Sequence, residues 1–221
     1  GMYSNGGKEK LIFKSNEIIN TGANPILIER HIGSTEISYN TLDVGVWGST
    51  AIFYMTYGGT DIMTLQNISY NTINMGTGGP FDADHACSAI SFSGSYRNPP
   101  GTIDLENGKY TNIEITDNTI INLQSYRRGI AIANMDPNGN EGKISNAQIL
   151  RNVITGSSEI GTKGIRLAGL VTDTNIQNNI ISNVEKSFYG QDSIEFAPGA
   201  IDYPEGTEIN YNIFSNNDLG L

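Results

Sequence analysis

The decapeptide at residues 36–45, "EISYNTLDVG", returns at 67–76 as "NISYNTINMG". Aligned on the asparagine of "SYNT", further copies emerge along the chain: "IFKSNEI", "EITDNTI", "QILRNVI", "NIQNNII" and "EINYNIF". Their asparagines are Asn16, Asn40, Asn71, Asn118, Asn152, Asn179 and Asn212. Three residues before each stands Phe13, Ile37, Ile68, Ile115, Ile149, Ile176 or Ile209. Two residues after each stands Ile18, Leu42, Ile73, Ile120, Ile154, Ile181 or Phe214. Every flanking position is large and apolar, so each copy reads as two short strands joined by a tight corner at the asparagine.

A second element follows at variable distance: "PILIE", "AIFYM", "AISFS", "GIAIA", "GIRLA" and "SIEFA". Each alternates with the period of a half-buried strand. The inward pairs are Ile26/Ile28, Ile52/Tyr54, Ile90/Phe92, Ile130/Ile132, Ile165/Leu167 and Ile194/Phe196. The repeating unit is therefore strand, asparagine corner, short strand, loop, third strand, loop. Regular strands with irregular spacers suit a parallel β-helix whose coils pair with one another and whose insertions bulge outward. The long interval between Asn71 and Asn118 holds one third-strand motif and reads as a single coil with long loops. The corner asparagine has two expected uses: it tolerates the left-handed backbone of a tight corner, and its amide can bond to the asparagine one coil on. A β-sandwich also has many short strands, but it does not write one side-chain pattern at every corner.

Composition agrees. Among 221 residues, 26 are glycine and asparagine is abundant, which disfavours helices and suits turns. A net charge of −10 argues against nucleic acid, which needs a basic stripe, and against anionic membrane surfaces. No apolar run is long enough to span a bilayer. The single cysteine, Cys87, allows no internal disulfide and reads as a small buried filler. Tyr39 and Tyr70, each just before its asparagine, are expected to stack on the surface.

The asparagine corners and "GIxI" strands, from about Leu11 to Asn216, resemble the pectate-lyase-like superfamily of right-handed parallel β-helices. The resemblance implies an all-β, single-stranded right-handed solenoid of about six to seven coils and three short sheets, forming one domain over 1–221. It implies a substrate groove along the first sheet, built from the "GIRLA"-type strands, and a location outside the cell, on its surface or in the periplasm. The family's calcium-holding or paired catalytic aspartates do not map onto the outward row Leu27, Phe53, Ser91, Ala131, Arg166 and Glu195. The last two of these are expected to pair as ions.

Candidate chemistry therefore sits in the loops leading into that sheet, "GVWGST" (45–50), "GTGGPFDADHACS" (76–88) and "QSYRRG" (124–129). Asp82, Asp84 and His85 could act as acid and base or hold a cation. Arg127 and Arg128 could neutralise a uronate or act as base in β-elimination. Trp47, Tyr57, Tyr96, Arg97, Tyr126, Arg166 and Tyr203 are the expected sugar-contacting groups. No metal site is assigned. Calcium stays open, with Asp136, Asn138 and Asn140 of "MDPNGNEG" (135–142) reading as an ordinary turn.

Three functions stay open: a polysaccharide lyase or glycosidase, a non-catalytic glycan-recognition or structural β-helix of a surface protein or phage fibre, or an adhesin-like repeat domain whose partner is a protein. The partner expected in the first two is a polysaccharide or oligosaccharide. The chain lacks a capping helix at its start and stops after a short strand. The expectation is a piece of a longer β-helix, with end-to-end or side-by-side pairing of copies as the other option.

Overall fold

The computed structural model describes residues 1–7, 9–21, 24–29, 31, 33–44, 50–55, 62–76, 87–93, 109–134, 144–169, 171–191 and 206–217. The chain winds as a right-handed parallel β-helix of seven coils, each contributing to three sheets. Coil 1 holds β1 (Met2–Asn5), β2 (Leu11–Lys14) and β3 (Glu17–Thr21), and coil 2 holds β4 (Ile26–Glu29), β5 (Thr35–Ser38) and β6 (Thr41–Val44). Coil 3 has β7 (Ile52–Met55), β8 (Ile62–Ser69) and β9 (Thr72–Asn74); coil 4 has β10 (Ser88–Ser93), β11 (Lys109–Thr116) and β12 (Thr119–Leu123). Coil 5 has β13 (Arg128–Asn134), β14 (Ile144–Leu150) and β15 (Val153–Gly156). In coil 6, β16 (Lys163–Gly169) precedes a divided second strand, β17 (Val171–Thr172) and β18 (Asn175–Gln177), and then β19 (Ile180–Ser182). Coil 7 has β20 (Lys186–Gln191), β21 (Glu208–Asn210) and β22 (Ile213–Ser215). Sheet A takes the first strand of every coil, sheet B the second and sheet C the third, and all pairings are parallel. Parallel pairing throughout excludes the sandwich alternative.

All seven corners fall between sheets B and C, and the asparagines form one unbroken ladder. Each Nδ2 donates to Oδ1 of the next: Asn16 to Asn40 at 3.1 Å, Asn40 to Asn71 at 2.9 Å, Asn71 to Asn118 at 3.0 Å, Asn118 to Asn152 at 3.0 Å, Asn152 to Asn179 at 3.0 Å and Asn179 to Asn212 at 2.9 Å. The same Oδ1 also accepts the backbone N–H of the preceding coil's asparagine, as from Asn71 to Asn118 at 3.0 Å. The second Nδ2 hydrogen of Asn118 reaches back to the Ile68 carbonyl at 2.9 Å. The direct Asn71–Asn118 contact makes their long interval one coil.

The left-handed residue at each corner is not the asparagine. It is the residue before it: Ser15, Tyr39, Tyr70, Asp117, Arg151, Asn178 and Tyr211, with φ between 56° and 58°. Asparagine is thus kept for its amide and not for backbone tolerance. Its neighbour, whose side chain points to solvent, carries the left-handed conformation that costs an L-residue about 1–2 kcal/mol. Tyr39 and Tyr70 stack there, ring centroids 4.9 Å apart and planes 8° from parallel. Arg151 grips Asp117 through both carboxylate oxygens at 2.8 and 2.7 Å.

Inside, isoleucines at equivalent registers stack into columns. Ile37, Ile68, Ile115 and Ile149 in sheet B and Ile73, Ile120 and Ile154 in sheet C are fully buried. So are the inward pairs of sheet A from Ile26/Ile28 to Ile165/Leu167. Each buried Ile contributes about 1.5–3 kcal/mol against exposure. Tyr54, stacked on Phe92 at 4.3 Å, and Tyr110 carry polar tips into this core, and Thr35 Oγ1 meets the Tyr54 hydroxyl at 2.5 Å. Burial pushes that phenol's pKa up.

Two strands depart from the expectation. β1 at Met2–Asn5 begins sheet A one coil earlier, pairing Met2 with Ile26. At the far end, sheet A is continued by "KSFYGQ" and not by "SIEFA": Phe188 takes the place beside Ile165 that Ile194 was expected to fill. Residues 193–197 lie outside the described residues. Arg166 is therefore registered with Tyr189, and its expected partner Glu195 lies outside the described residues.

Replacing Asn118 by alanine would strand the Asn71 amide donors and the Ile68 carbonyl in a dry corner. It should cost at least about 3 kcal/mol in urea unfolding, against about 1 kcal/mol for the end asparagine in Asn16→Ala. Ser15→Asn, at an exposed left-handed position, should stabilise by about 0.5–1 kcal/mol in the same assay.

Candidate cationic groove on sheet A

The turns that lead from sheet C into sheet A bind coil to coil. Glu159 accepts from the Ser125 backbone N–H at 2.8 Å, and its hydrogen bonds from Ser125 hold its carboxyl below the usual range. The Glu185 carboxylate accepts the Gly161 N–H, and Glu185 N–H donates to Thr162 Oγ1 at 2.8 Å. Backbone donations from Arg128 to the Cys87 carbonyl (2.9 Å), Lys163 to Arg127 (2.9 Å) and Lys186 to Thr162 (3.1 Å) continue the register. At the next position the chain turns inward. A Cβ on Gly129 or Gly164 would strike Ile154 or Ile181 in the core, and Ser187 is fully buried. The residues just before, Arg128, Lys163 and Lys186, therefore point outward at one register and are half-buried.

Arg166, at an outward position three residues after Lys163 on the same strand, is 7% exposed. These four cations interact. The Lys163 pKa is lowered first by desolvation, then by the positive charges of Arg128 and Arg166, with Lys186 also contributing and Glu185 opposing. Lys163 Nζ donates to the Gly161 carbonyl at 3.3 Å.

Of the residues expected at this site, the structure brings Arg128 and Arg166 together on the outer face of sheet A. It separates the twin arginines. Arg127 is fully enclosed, beside Cys87 and Glu159, and burial lowers its pKa. Cys87 is 5% exposed, its thiol pKa raised by burial against the opposing pull of Arg127 and Arg128. Tyr126 is half-buried, with its ring against the backbone of Gly161 one coil on. Trp47, Tyr57, Asp82, Asp84, His85, Tyr96, Arg97 and Tyr203 lie outside the described residues, as do Asp136, Asn138 and Asn140. Among the described residues, no group of three or more His, Cys, Asp or Glu gathers as cation ligands.

Lys163 and Lys186 escaped the sequence reading, which followed the middle register of each strand. A signal was present: "RGI" at 128–130, "KGI" at 163–165 and "KSF" at 186–188 each place a cation two residues ahead of a core residue. No family model matches the chain, and no curated protein or solved structure matches it either.

The Lys163 shift fixes a sign. Its folded pKa lies below that of the unfolded chain, about 10.4. Between the two values the unfolded state binds more protons, so the Lys163 contribution to stability rises with pH across that window and is most unfavourable below it. Lys163→Gln should therefore raise the melting temperature at neutral pH and low salt. It should also flatten the alkaline rise, with both effects shrinking in high salt.

Proposed function

We propose that this protein binds an anionic polysaccharide along the outer face of sheet A, as a member of the pectate-lyase-like β-helices acting outside the cell. The observation that carries the reading is the set of four cations, Arg128, Lys163, Arg166 and Lys186, on three consecutive coils of a chain with net charge −10. Four cations that interact across three coils, with Glu185 beside them, concentrate positive charge on one face, and that field favours an anion held across it. Carboxylates on the ligand match the half-buried Arg128 through paired N–H donors, while Arg166, 7% exposed, contributes mainly by its charge. Arg127, fully enclosed, acts by its charge and packing and not by contact.

The chemistry these groups suit best is β-elimination on a uronate. Arginine stays protonated and neutralises the carboxylate, which acidifies the carbon beside it. Lys163, its pKa lowered by desolvation and by the charges of Arg128 and Arg166, is the proposed base. It would take the proton from that carbon; the electron pair forms the carbon–carbon double bond, and the glycosidic oxygen leaves and is protonated. Hydrolysis needs two carboxyl groups flanking the bond. Glu29 is the carboxylate on the described outer positions of sheet A strands, so a glycosidase would depend on Asp82 and Asp84. Recognition without turnover is the second reading, favoured by the single carboxylate among those described positions.

Binding and turnover separate in one experiment on the full chain with a panel of anionic and neutral glycans. Lyase activity would appear as ultraviolet absorbance of the unsaturated uronate product, lost in Lys163→Ala. Binding should fall about tenfold in Arg128→Ala and weaken steeply with salt. Binding without any product supports the recognition reading, and equal affinity in Arg128→Ala and Lys163→Ala would sink the proposal.

A further inference from the structure

The outer face of sheet A changes character along the solenoid. Its middle register runs Tyr3, Leu27, Phe53, Ser91, Ala131 and Arg166 from coil 1 to coil 6. Coils 1 to 3 present an apolar platform, with Tyr3 60% exposed and Leu27 and Phe53 half-buried. Ser91 and Ala131 follow as a small-residue floor. The four cations occupy coils 5 to 7. Glu29 stands on coil 2, where its carboxylate accepts from the Tyr3 hydroxyl at 2.6 Å and from Asn5 Nδ2 at 3.4 Å. Asn5 Nδ2 also donates to the Tyr3 oxygen at 2.8 Å. With strands about 4.8 Å apart, the platform and the cationic stretch each span about 10 Å along one sheet face.

We infer that this groove selects a glycan whose negative charge is confined to one end, with uncharged sugar rings lying over Tyr3, Leu27 and Phe53. The inference rests on the anionic-polysaccharide reading above and narrows it to a substrate class. Sugar rings present C–H faces that pack on aromatic and branched side chains, and their hydroxyls can bond to the Tyr3–Asn5–Glu29 cluster. A uniformly charged polyuronate would bring carboxylates over Glu29, placing like charges together at the end of the groove away from the four cations. The separation of charge also fixes direction: the anionic end lies over coils 5 to 7 and the neutral end over coils 1 to 3.

Calorimetric titration of the full chain at low salt tests this with four probes: a hexauronate, a neutral hexaglucan, a hexaglucan bearing one terminal glucuronate, and the glucuronyl disaccharide alone. The mixed hexasaccharide should bind at least about tenfold tighter than the hexauronate or the neutral chain. Tyr3→Ala, at an exposed position, and Phe53→Ala should each weaken the mixed ligand about fivefold and leave the disaccharide unchanged. Glu29→Lys should raise the affinity for the hexauronate.

If the hexauronate binds tightest, and Arg128→Ala abolishes that binding, the charge-segregated ligand is wrong while the anionic groove stands. The charge-segregated ligand is equally wrong if Tyr3→Ala and Phe53→Ala leave the mixed ligand's affinity unchanged. If no probe binds, or the neutral chain binds as well as the mixed one, the anionic groove and this inference both fall.

Discussion

The contact on which the structure depends is the donation from each corner asparagine to Oδ1 of the next. It is repeated six times without a gap from Asn16 to Asn212. A parallel solenoid has no local hairpins to set its register, so something must align each coil on its neighbour. Isoleucine columns fill the interior but tolerate sliding along the strands. An amide that accepts two hydrogen bonds from one coil and donates to the backbone of that coil does not tolerate it. The ladder sits in a dry corner, where an unmade hydrogen bond costs most.

A fixed register at the corner propagates to sheet A. There the alignment of Arg128, Lys163 and Lys186 follows from backbone bonds between successive turns, and Ser125–Glu159 and Gly161–Glu185 brace those turns. The cations are therefore held close by the solenoid's own pairing. The depressed Lys163 pKa reflects that enforced proximity together with partial burial. A stable repeating scaffold can hold such like charges together, and groups held in place in advance lose little entropy in any contact they make.

Legibility in the sequence followed repetition. The seven asparagines, their apolar flanks and five of the six expected third strands are written as near-copies, and all occupy the places their pattern implies. β1 was missed because "MYSN" carries little apolar signal. The final strand of sheet A was misplaced because "SIEFA" alternates better than "KSFYGQ". Pairing on Ile165, and a serine at the inward-turning position, outweighed the alternation. The reason for the corner asparagine was half right: the ladder is there, but the left-handed backbone belongs to the residue before it. At the candidate site, Arg128 and Arg166 were legible as cations, while Lys163 and Lys186, which stand ahead of the alternating register, were not singled out.

The amino-acid sequence by itself determined the winding, because each coil's buried residues and corner amide recur at fixed offsets and such local periodicity is visible in one dimension. Only the tertiary structure decided which charges meet. Arg128, Lys163 and Lys186 are far apart in the chain and come together across loops of unequal length. Which of two adjacent arginines faces outward depends on where the backbone turns into the core, and that turn is set by close packing against Ile154 and Ile181 on sheet C.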